Sequence, residues 1–416
     1  MTKQTMTRDL WTMAVRNISR RPRRSFLSIV AIGLAALTMT FLLSLVAGIR
    51  ADMGSNIQRY LTGQVLVEDR GMARSGTLPL ALAIGTLPEV MKPLAAVPGV
   101  ASLSPRITSG ASVFQDGDAV FFSLMGMDFT TDPMRLQDFL LPGGTLPVAG
   151  ERGALISNGL ADKLGLKVGD TLTAVTQTLR GSSNGMTFTV SGLVHPGLAA
   201  FQVPWLFTSL PTAQRFTKLS QGATSLVITA SPGTDSAALA GKIQQTLDQV
   251  GFPHLASRPW FQTSTTWGLM DLAGIVYGVM GLIFFALAST VIINTMLMVV
   301  LERSKEIGML AALGMDPRQI RWLFLAESAI LSGIGAVGGT LLGCLLSLVL
   351  GITGLDFTES MKGVDMEVSN IFRPVLEPWT PLLVMVVAVT VALVFTLVPV
   401  QRLKNMQIVD ALRGEI

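Results

Sequence analysis

Glu302–Ala329, ERSKEIGMLAALGMDPRQIRWLFLAESA, reads as a short charged amphipathic helix, a glycine stop and a restart, wedged between two long apolar segments. Ile307, Leu310, Ala311 and Gly314 recur at helical spacing, and Arg303, Lys305 and Glu306 surround them. Gly314 takes the position after a helix end, where a left-handed backbone is needed. Asp316-Pro317-Arg318-Gln319 then restarts the chain, with Asp as N-cap, Pro in the first turn and Gln reaching back as a capping box. The spacing predicts two helices joined by a tight elbow. By itself such an elbow is a rigid turn between two membrane spans. With a partner it is a lever that something in the cytoplasm can push or pull.

The composition agrees with a membrane setting. Half of the residues are hydrophobic, 14% are charged and the mean hydropathy is +0.54, against about 25% charged residues in soluble domains. Four uncharged segments reach the roughly 20 apolar residues that a span requires: Phe26–Ile49, Leu272–Leu301, Ser328–Leu355 and Thr380–Val400. The expected division is a basic amphipathic start (1–25), a first span (26–49), a domain with stalk ends (50–267) and a second span (268–301). The elbow (302–321), a third span (322–355), a short loop (356–379), a fourth span (380–400) and a tail (401–416) complete it. The fold class expected is an α-helical membrane protein of four transmembrane helices, with one large extracytoplasmic α+β domain between the first and second.

Charge sets the topology. Lys3, Arg8, Arg16, Arg20, Arg21, Arg23 and Arg24 precede the first span, Arg303, Lys305, Arg318 and Arg321 follow the second, and Arg402, Lys404 and Arg413 close the chain. The loop after the third span holds Lys362 and Arg373 beside Asp356, Glu359, Asp365, Glu367 and Glu377. Positive residues mark the cytoplasmic side, so both termini and the elbow are expected there and the large domain outside. The basic charge reads as topology, not as nucleic-acid binding. Residues 8–20 set Leu10, Trp11, Ala14, Val15 and Ile18 against Arg8, Arg16 and Arg20, either a helix on the membrane surface or a plain basic tail.

Within 50–267 the expected strands are Gln64–Glu68, Ala119–Met127, Thr171–Thr176, Thr187–Val194 and Ser225–Ala230. The expected helices are Pro88–Val97, Gly159–Leu164, Pro211–Lys218 and Thr234–Val250, with Pro and Gly punctuation between them. The hairpin of the third and fourth strands brackets a polar tip, Thr178–Gly185. Leu179, Arg180 and Asn184 there are either a contact for an extracytoplasmic partner or part of an exposed turn. The single cysteine, Cys344, lies in the third span, so no disulfide staples the outer domain. The second apolar segment is longer than a bilayer needs, about 45 Å of helix against about 30 Å of hydrocarbon. Its excess, with Arg50–Tyr60 after the first span, is expected to form a stalk.

Other motifs mislead. Gly333-Ile-Gly-Ala-Val-Gly338 matches a dinucleotide fingerprint literally but lies mid-membrane with no strand before it. Gly335, Gly339 and Gly343 at i+4 steps either let another helix approach, with Gly274 and Gly278 as the opposing face, or are tolerated without close packing. No phosphate-binding Walker loop occurs, and His195 and His254, the two histidines, stand in no metal or nucleophile constellation. The chain is expected to be non-catalytic and to bind no cofactor.

ERSKEIGMLAALGMDPRQI resembles the signature loop of the FtsX-like permease superfamily, the membrane subunits of MacB-type ABC transporters. RDLWTMAVRNISRRPRRSFLSIVAIGLA, GERGALISNGLADKLGLKVGDTLTA and PVQRLKNMQIVDALRGE resemble the family's start, outer-domain segment and C-terminal end. The resemblance implies a dimer with a second copy or a paralogue, and a separate cytoplasmic ATPase that carries the ATP and Mg. On this resemblance Arg303–Leu313 is the coupling helix. Glu302, Arg303, Lys305 and Glu306 make its charged contacts, Ile307 and Leu310 fill the ATPase groove, and Gly314 sets the elbow. It implies mechanotransmission in a bacterial inner membrane, with lipoprotein release (the LolC/LolE-type branch) as the first substrate class. There a projecting loop recruits a periplasmic lipoprotein carrier. Efflux of peptides, toxins or lipids with an outer-membrane partner, and regulation of a cell-wall hydrolase, are the alternatives.

Overall fold

The computed structural model describes residues 22–71, 84–115, 117–195, 204–302, 317–360 and 368–402. In chain order its first elements are α1 (Pro22–Asn56), a π-helical turn (Ile57–Thr62), β1 (Val65–Asp69), α2 (Leu87–Ala95), β2 (Val100–Gln115) and β3 (Asp118–Met127). Then come β4 (Gly153–Ser157), α3 (Asn158–Leu164), β5 (Thr171–Gln177), β6 (Ser183–Val194), β7 (Trp205–Ser209) and α4 (Leu210–Thr217). After these follow β8 (Ser225–Ala230), α5 (Ser236–Val250), β9 (Leu255–Pro259) and α6 (Thr265–Glu302). The chain closes with α7 (Pro317–Thr353), the two-residue strands β10 (Leu355–Asp356) and β11 (Ile371–Phe372), and α8 (Thr380–Arg402).

These elements fall into two compact units. One gathers the described residues up to Ile49, Met270–Leu355 and those from Phe372 onward; the other is Arg50–Leu269 with Asp356–Ile371. The segment between the third and fourth long helices is thus divided, its first part counting with the sheet. In the helical unit, four helices are long and apolar enough to cross a membrane. Their shared core is built of Ile32, Ala36 and Met39 from α1, Phe285 and Ile292 from α6, Phe324, Leu331 and Ala336 from α7, and Val384, Ala388 and Ala392 from α8. Ser328 and Thr396 share a buried hydroxyl hydrogen bond of 2.7 Å between α7 and α8. Alanines and hydroxyls suit such a core because apolar lipid gives helices no hydrophobic reason to associate; close packing and polar pairs must do it.

The other unit is a nine-stranded sheet in the order β3-β7-β4-β6-β5-β2-β8-β1-β9, with β2 also pairing to β3. That extra pairing closes β2, β3, β7, β4, β6 and β5 into a ring. The sixteen-residue β2 belongs to two neighbourhoods. Residues 100–106 run antiparallel to 230–225 of β8, and 107–115 run antiparallel to 126–118 of β3. The ring encloses one core around Ile107, Leu124, Ile156, Phe188 and Phe216, with α3 and α4 laid against it. A second core, around Val67, Ile228, Leu94 and Ile243, lies under α2 and α5.

The five expected strands and four expected helices are present, Ser225–Ala230 with the ends expected and the others with shifted ends, while β2, β4, β7 and β9 are additions. The reason differs by strand. β2 carries Pro105 and loses its alternation at 104–107, all buried, where it changes partners. All of β4 and four of the five residues of β7 are buried, so no period of two marks either.

Candidate functional site: the fastening at the end of α1

The helix α1 does not fray into the sheet. It widens at Ile57–Thr62 into a π turn and stops at Gly63, whose backbone has φ 65° and ψ −161°. A side chain there would be strained by that dihedral, and its Cβ would stand 2.6 Å from the Ile228 carbonyl oxygen. The turn's terminal carbonyls have no helical partner, and a buried arginine supplies one. Arg106, on β2, is 1% exposed; its Nη1 donates to the Tyr60 and Leu61 carbonyls at 2.7 Å each. Its Nε and Nη2 donate to Asp132 at 2.7 and 2.5 Å, and Asp132 also accepts from the Met134 N–H at 2.8 Å. A lone buried guanidinium is very costly, but this one is forked onto a carboxylate and two carbonyls. Its pairing is what makes that position for the end of α1 the low-energy one.

A second set of contacts holds the preceding turn. Asp52 accepts from the Ser369 N–H at 2.7 Å, from its hydroxyl at 2.8 Å and from Asn56 Nδ2 at 3.0 Å. Gly54 faces two indoles: an added Cβ would come within 3.1 Å of Trp260 and 3.2 Å of Trp267, rings that meet edge to face at 4.6 Å. Arg50 lies over the Trp267 ring at 5.2 Å, a cation–π arrangement. Beside Ser369's segment, Thr358 donates its N–H and hydroxyl to Asp356, which holds that carboxyl below the usual carboxylate range. In β9, Arg258 pairs with Glu68 of β1, and burial lowers its pKa from the ordinary arginine value. This assembly fastens the end of a long helix to β2, to the start of α6 and to the 356–371 segment.

In the helical unit, the glycine face on α7 lies against α1. An added Cβ at Gly339 would run into the backbone of Gly33, one at Gly335 would stand 2.7 Å from the Ile29 carbonyl oxygen, and one at Gly343 would stand 2.8 Å from Thr40. The expected partners, Gly274 and Gly278 on α6, are corrected: among the described residues neither has an atom within 4 Å of its Cβ position. Side-chain volume explains the choice, since Gly33 and Thr40 on α1 permit a close backbone approach. The segment after β11 also packs on α1. The Val375 N–H donates to the Ser44 carbonyl at 2.9 Å, and Gly48 sits against the Arg373 carbonyl.

The hairpin also differs from expectation. β6 starts at Ser183, so the tip shrinks to Thr178–Ser182, closed by Thr178 and Ser182 through backbone and hydroxyl bonds. It is tied down: the Leu179 N–H donates to the Thr217 carbonyl at 3.2 Å, and Asn184 Nδ2 donates to the Phe216 carbonyl at 2.8 Å. Asn184 therefore anchors the hairpin to α4 instead of offering a contact, while Leu179 and Arg180 remain exposed. Of the coupling residues, Glu302 is the last of α6; Arg303, Lys305, Glu306, Ile307, Leu310 and Gly314 lie outside the described residues. Among the described residues no three His, Cys, Asp or Glu side chains could hold a metal. Sequence reading missed Arg106 and Asp132. Their one visible trace is a lone charge inside SLSPRITSG, whose Ser, Thr, Pro and Gly read as a loop.

Comparison with known proteins bears on the whole assembly. The family described as MacB-like periplasmic core domain matches residues 25–246, more than half of the chain, and FtsX-like permease C-terminal matches 278–408. The lipoprotein-releasing system transmembrane protein LolC of Neisseria meningitidis is 21% identical over 332 residues, 76% of this chain and 79% of that protein. The macrolide export ATP-binding/permease protein MacB of Pasteurella multocida is 44% identical over 71 residues, 17% of this chain and 10% of that protein. The periplasmic region of MacB from Actinobacillus actinomycetemcomitans aligns over 47% of this chain and 88% of that one, at 12% identity and a TM-score of 0.33, too distant to bear on the fold. The chain belongs to the MacB/FtsX-type ABC transporter permeases, membrane subunits that are generally non-catalytic and that imply a cytoplasmic ATPase partner.

Proposed function

We propose that this permease turns ATP-driven closure of a separate ATPase into movement of its sheet unit, and that the movement releases lipoproteins from the outer leaflet of a bacterial inner membrane. Both termini and the 302–321 elbow are cytoplasmic in this reading, and the sheet unit is periplasmic. The ATPase binds the elbow through Glu302, Arg303, Lys305, Glu306, Ile307 and Leu310, with Gly314 setting its angle. ATP and Mg belong to the partner. A second copy or a paralogue completes the transporter.

The observation that carries the substrate class is the extent of the LolC match, which spans 79% of that relative. Mechanotransmission is supported by the fastening itself. α1 runs unbroken from Pro22 to Asn56 and α6 from Thr265 to Glu302, and the outer end of α1 is clamped by Arg106 and Asp52. Helices joined so firmly to a domain can pass on a displacement without any substrate crossing the bilayer. Efflux is the second reading, and the 44% identity to a macrolide exporter over 71 residues favours it. The test is to co-reconstitute the permease with its co-purifying ATPase in proteoliposomes loaded with a triacylated lipoprotein. ATP-dependent appearance of the lipoprotein in a soluble acceptor is expected. If ATP is hydrolysed and a macrolide or peptide moves while the lipoprotein stays, the lipoprotein reading is wrong and the efflux reading replaces it.

A further inference from the structure

Between Asp170 and Asp235 the chain contains no Asp or Glu, and its Lys and Arg residues there are Arg180, Arg215 and Lys218. The fold brings all three to one place. They line a cleft of about 780 Å³ with Thr178, Ser182, Pro211, Gln214 and Ser220. The two bonds that pin the β5–β6 turn to the end of α4, from Leu179 N–H to Thr217 and from Asn184 to Phe216, put Arg180 beside Arg215 and Lys218. Among the described residues none of the three cations is in an ion pair. Arg215 spends one nitrogen on the Gly150 carbonyl and the Thr212 hydroxyl, leaving the rest of its fork outward.

Two further features single the cleft out. Lys218 and Gln221 are the non-glycine residues with positive φ among the described residues, 54° and 56°, and both sit on the segment that rims it. Lys218 is the left-handed cap that ends α4, with its N–H on the Gln214 carbonyl, and it lines the cleft. In the lining, Thr178 and Ser182 spend one hydroxyl hydrogen on each other and Gln214 donates to the Gly222 carbonyl, so the other of those two hydroxyls and that of Ser220 stand beside the cations, with one apolar side chain, Pro211. A peptide would want apolar pockets or a strand edge. A compact anion wants guanidinium forks, an ammonium and hydroxyl donors.

We infer that this cleft binds a phosphate-bearing ligand with at least two negative charges, supplied either by a free phosphate compound or by a phosphorylated lipid headgroup. The inference does not depend on the transport reading. It can be tested with the full chain in phosphatidylcholine nanodiscs, titrated calorimetrically with inorganic pyrophosphate and, separately, with dihexanoyl phosphatidic acid. The variant Arg180→Gln with Lys218→Gln changes two exposed side chains outside any ion pair, and Lys163→Gln with Lys167→Gln serves as a charge-matched control on another face. Binding at 50 mM salt is expected for the wild type and the control, and at least tenfold weaker for the cleft variant. Tighter binding of pyrophosphate would assign a soluble ligand, and tighter binding of phosphatidic acid a headgroup. Equal affinities in wild type and cleft variant, with both folded by circular dichroism, would overturn the proposal. So would binding of an oligoglutamate peptide where neither phosphate probe binds, which would mark a protein partner instead.

Discussion

The first and second long helices share length and hydropathy, yet they are treated differently by the rest of the chain. α1 is held along its length: by the glycines of α7, by the Arg373–Val375 segment, and at its C-terminal end by Asp52 and Arg106. α6 contributes Phe285 and Ile292 to the helical core but leaves Leu272, Ile275, Val279, Leu282, Ile283 and Leu287 exposed, with Gly274 and Gly278 open beside them. In lipid, exposed leucines cost nothing by themselves, so exposure alone does not distinguish the two. The difference lies in close backbone approach, which needs glycine on one side and something to fill the space on the other. α1 meets the glycines of α7 at several levels, whereas α6 has one such meeting, Gly281 against the Met39 side chain of α1, and leaves Gly274 and Gly278 open among the described residues. On the proposed function, a second copy or a paralogue is what α6 meets.

The largest effect expected comes from cutting the fastening on one side. Arg106→Met leaves Asp132 buried without its partner, a class of change that costs about 3–5 kcal/mol. Urea titration followed by tryptophan fluorescence should show it, and Arg106→Met with Asp132→Leu should recover part of the loss, the Tyr60 and Leu61 carbonyls remaining without their donor. Next comes Gly339→Leu, which forces α7 off α1; overpacking of this kind costs about 1–3 kcal/mol and should lower the melting temperature in detergent. Asp52→Ala removes charge-assisted bonds to Ser369, each worth about 1.5–3 kcal/mol at most. Because Asn56 also reaches Ser369, at 3.3 Å, a smaller net loss is expected, with faster amide exchange at Ser369 as its signature. Gly278→Leu is expected to change the stability of the single chain by less than about 0.5 kcal/mol, while reducing disulfide crosslinking between copies carrying Ile275→Cys. A large loss at Gly278, or none at Gly339, would reverse the comparison.

Much of this was legible before any coordinates. Apolar run length located the four long helices, and Pro and Gly punctuation located the alternating strands and amphipathic helices of the sheet unit. The i+4 glycines marked α7 as a packing face, but which helix they meet is a matter of volume on the other side, and Gly33 on α1 sits among residues as apolar as those of α6. The buried strands β4 and β7 hide because a strand covered on both faces has no alternation to read. Arg106 and Asp132 are twenty-six residues apart and meet because the β2–β3 pairing sets Ile107 against Gly126, which returns the turn after β3 to Arg106. No local pattern encodes that meeting. Asn184 misleads in the opposite way, since a polar residue near a turn reads as exposed when its amide is spent on a neighbouring helix end.

On the proposed function, an ATPase works on this chain through residues 302–321. The most direct test is affinity purification of the tagged permease in mild detergent, comparing wild type with Glu302→Lys plus Leu310→Asp. An ABC ATPase subunit retained by the wild type and lost from the variant, with equal permease yield, is the result expected. An ATPase retained equally by both would place the coupling elsewhere and contradict the account.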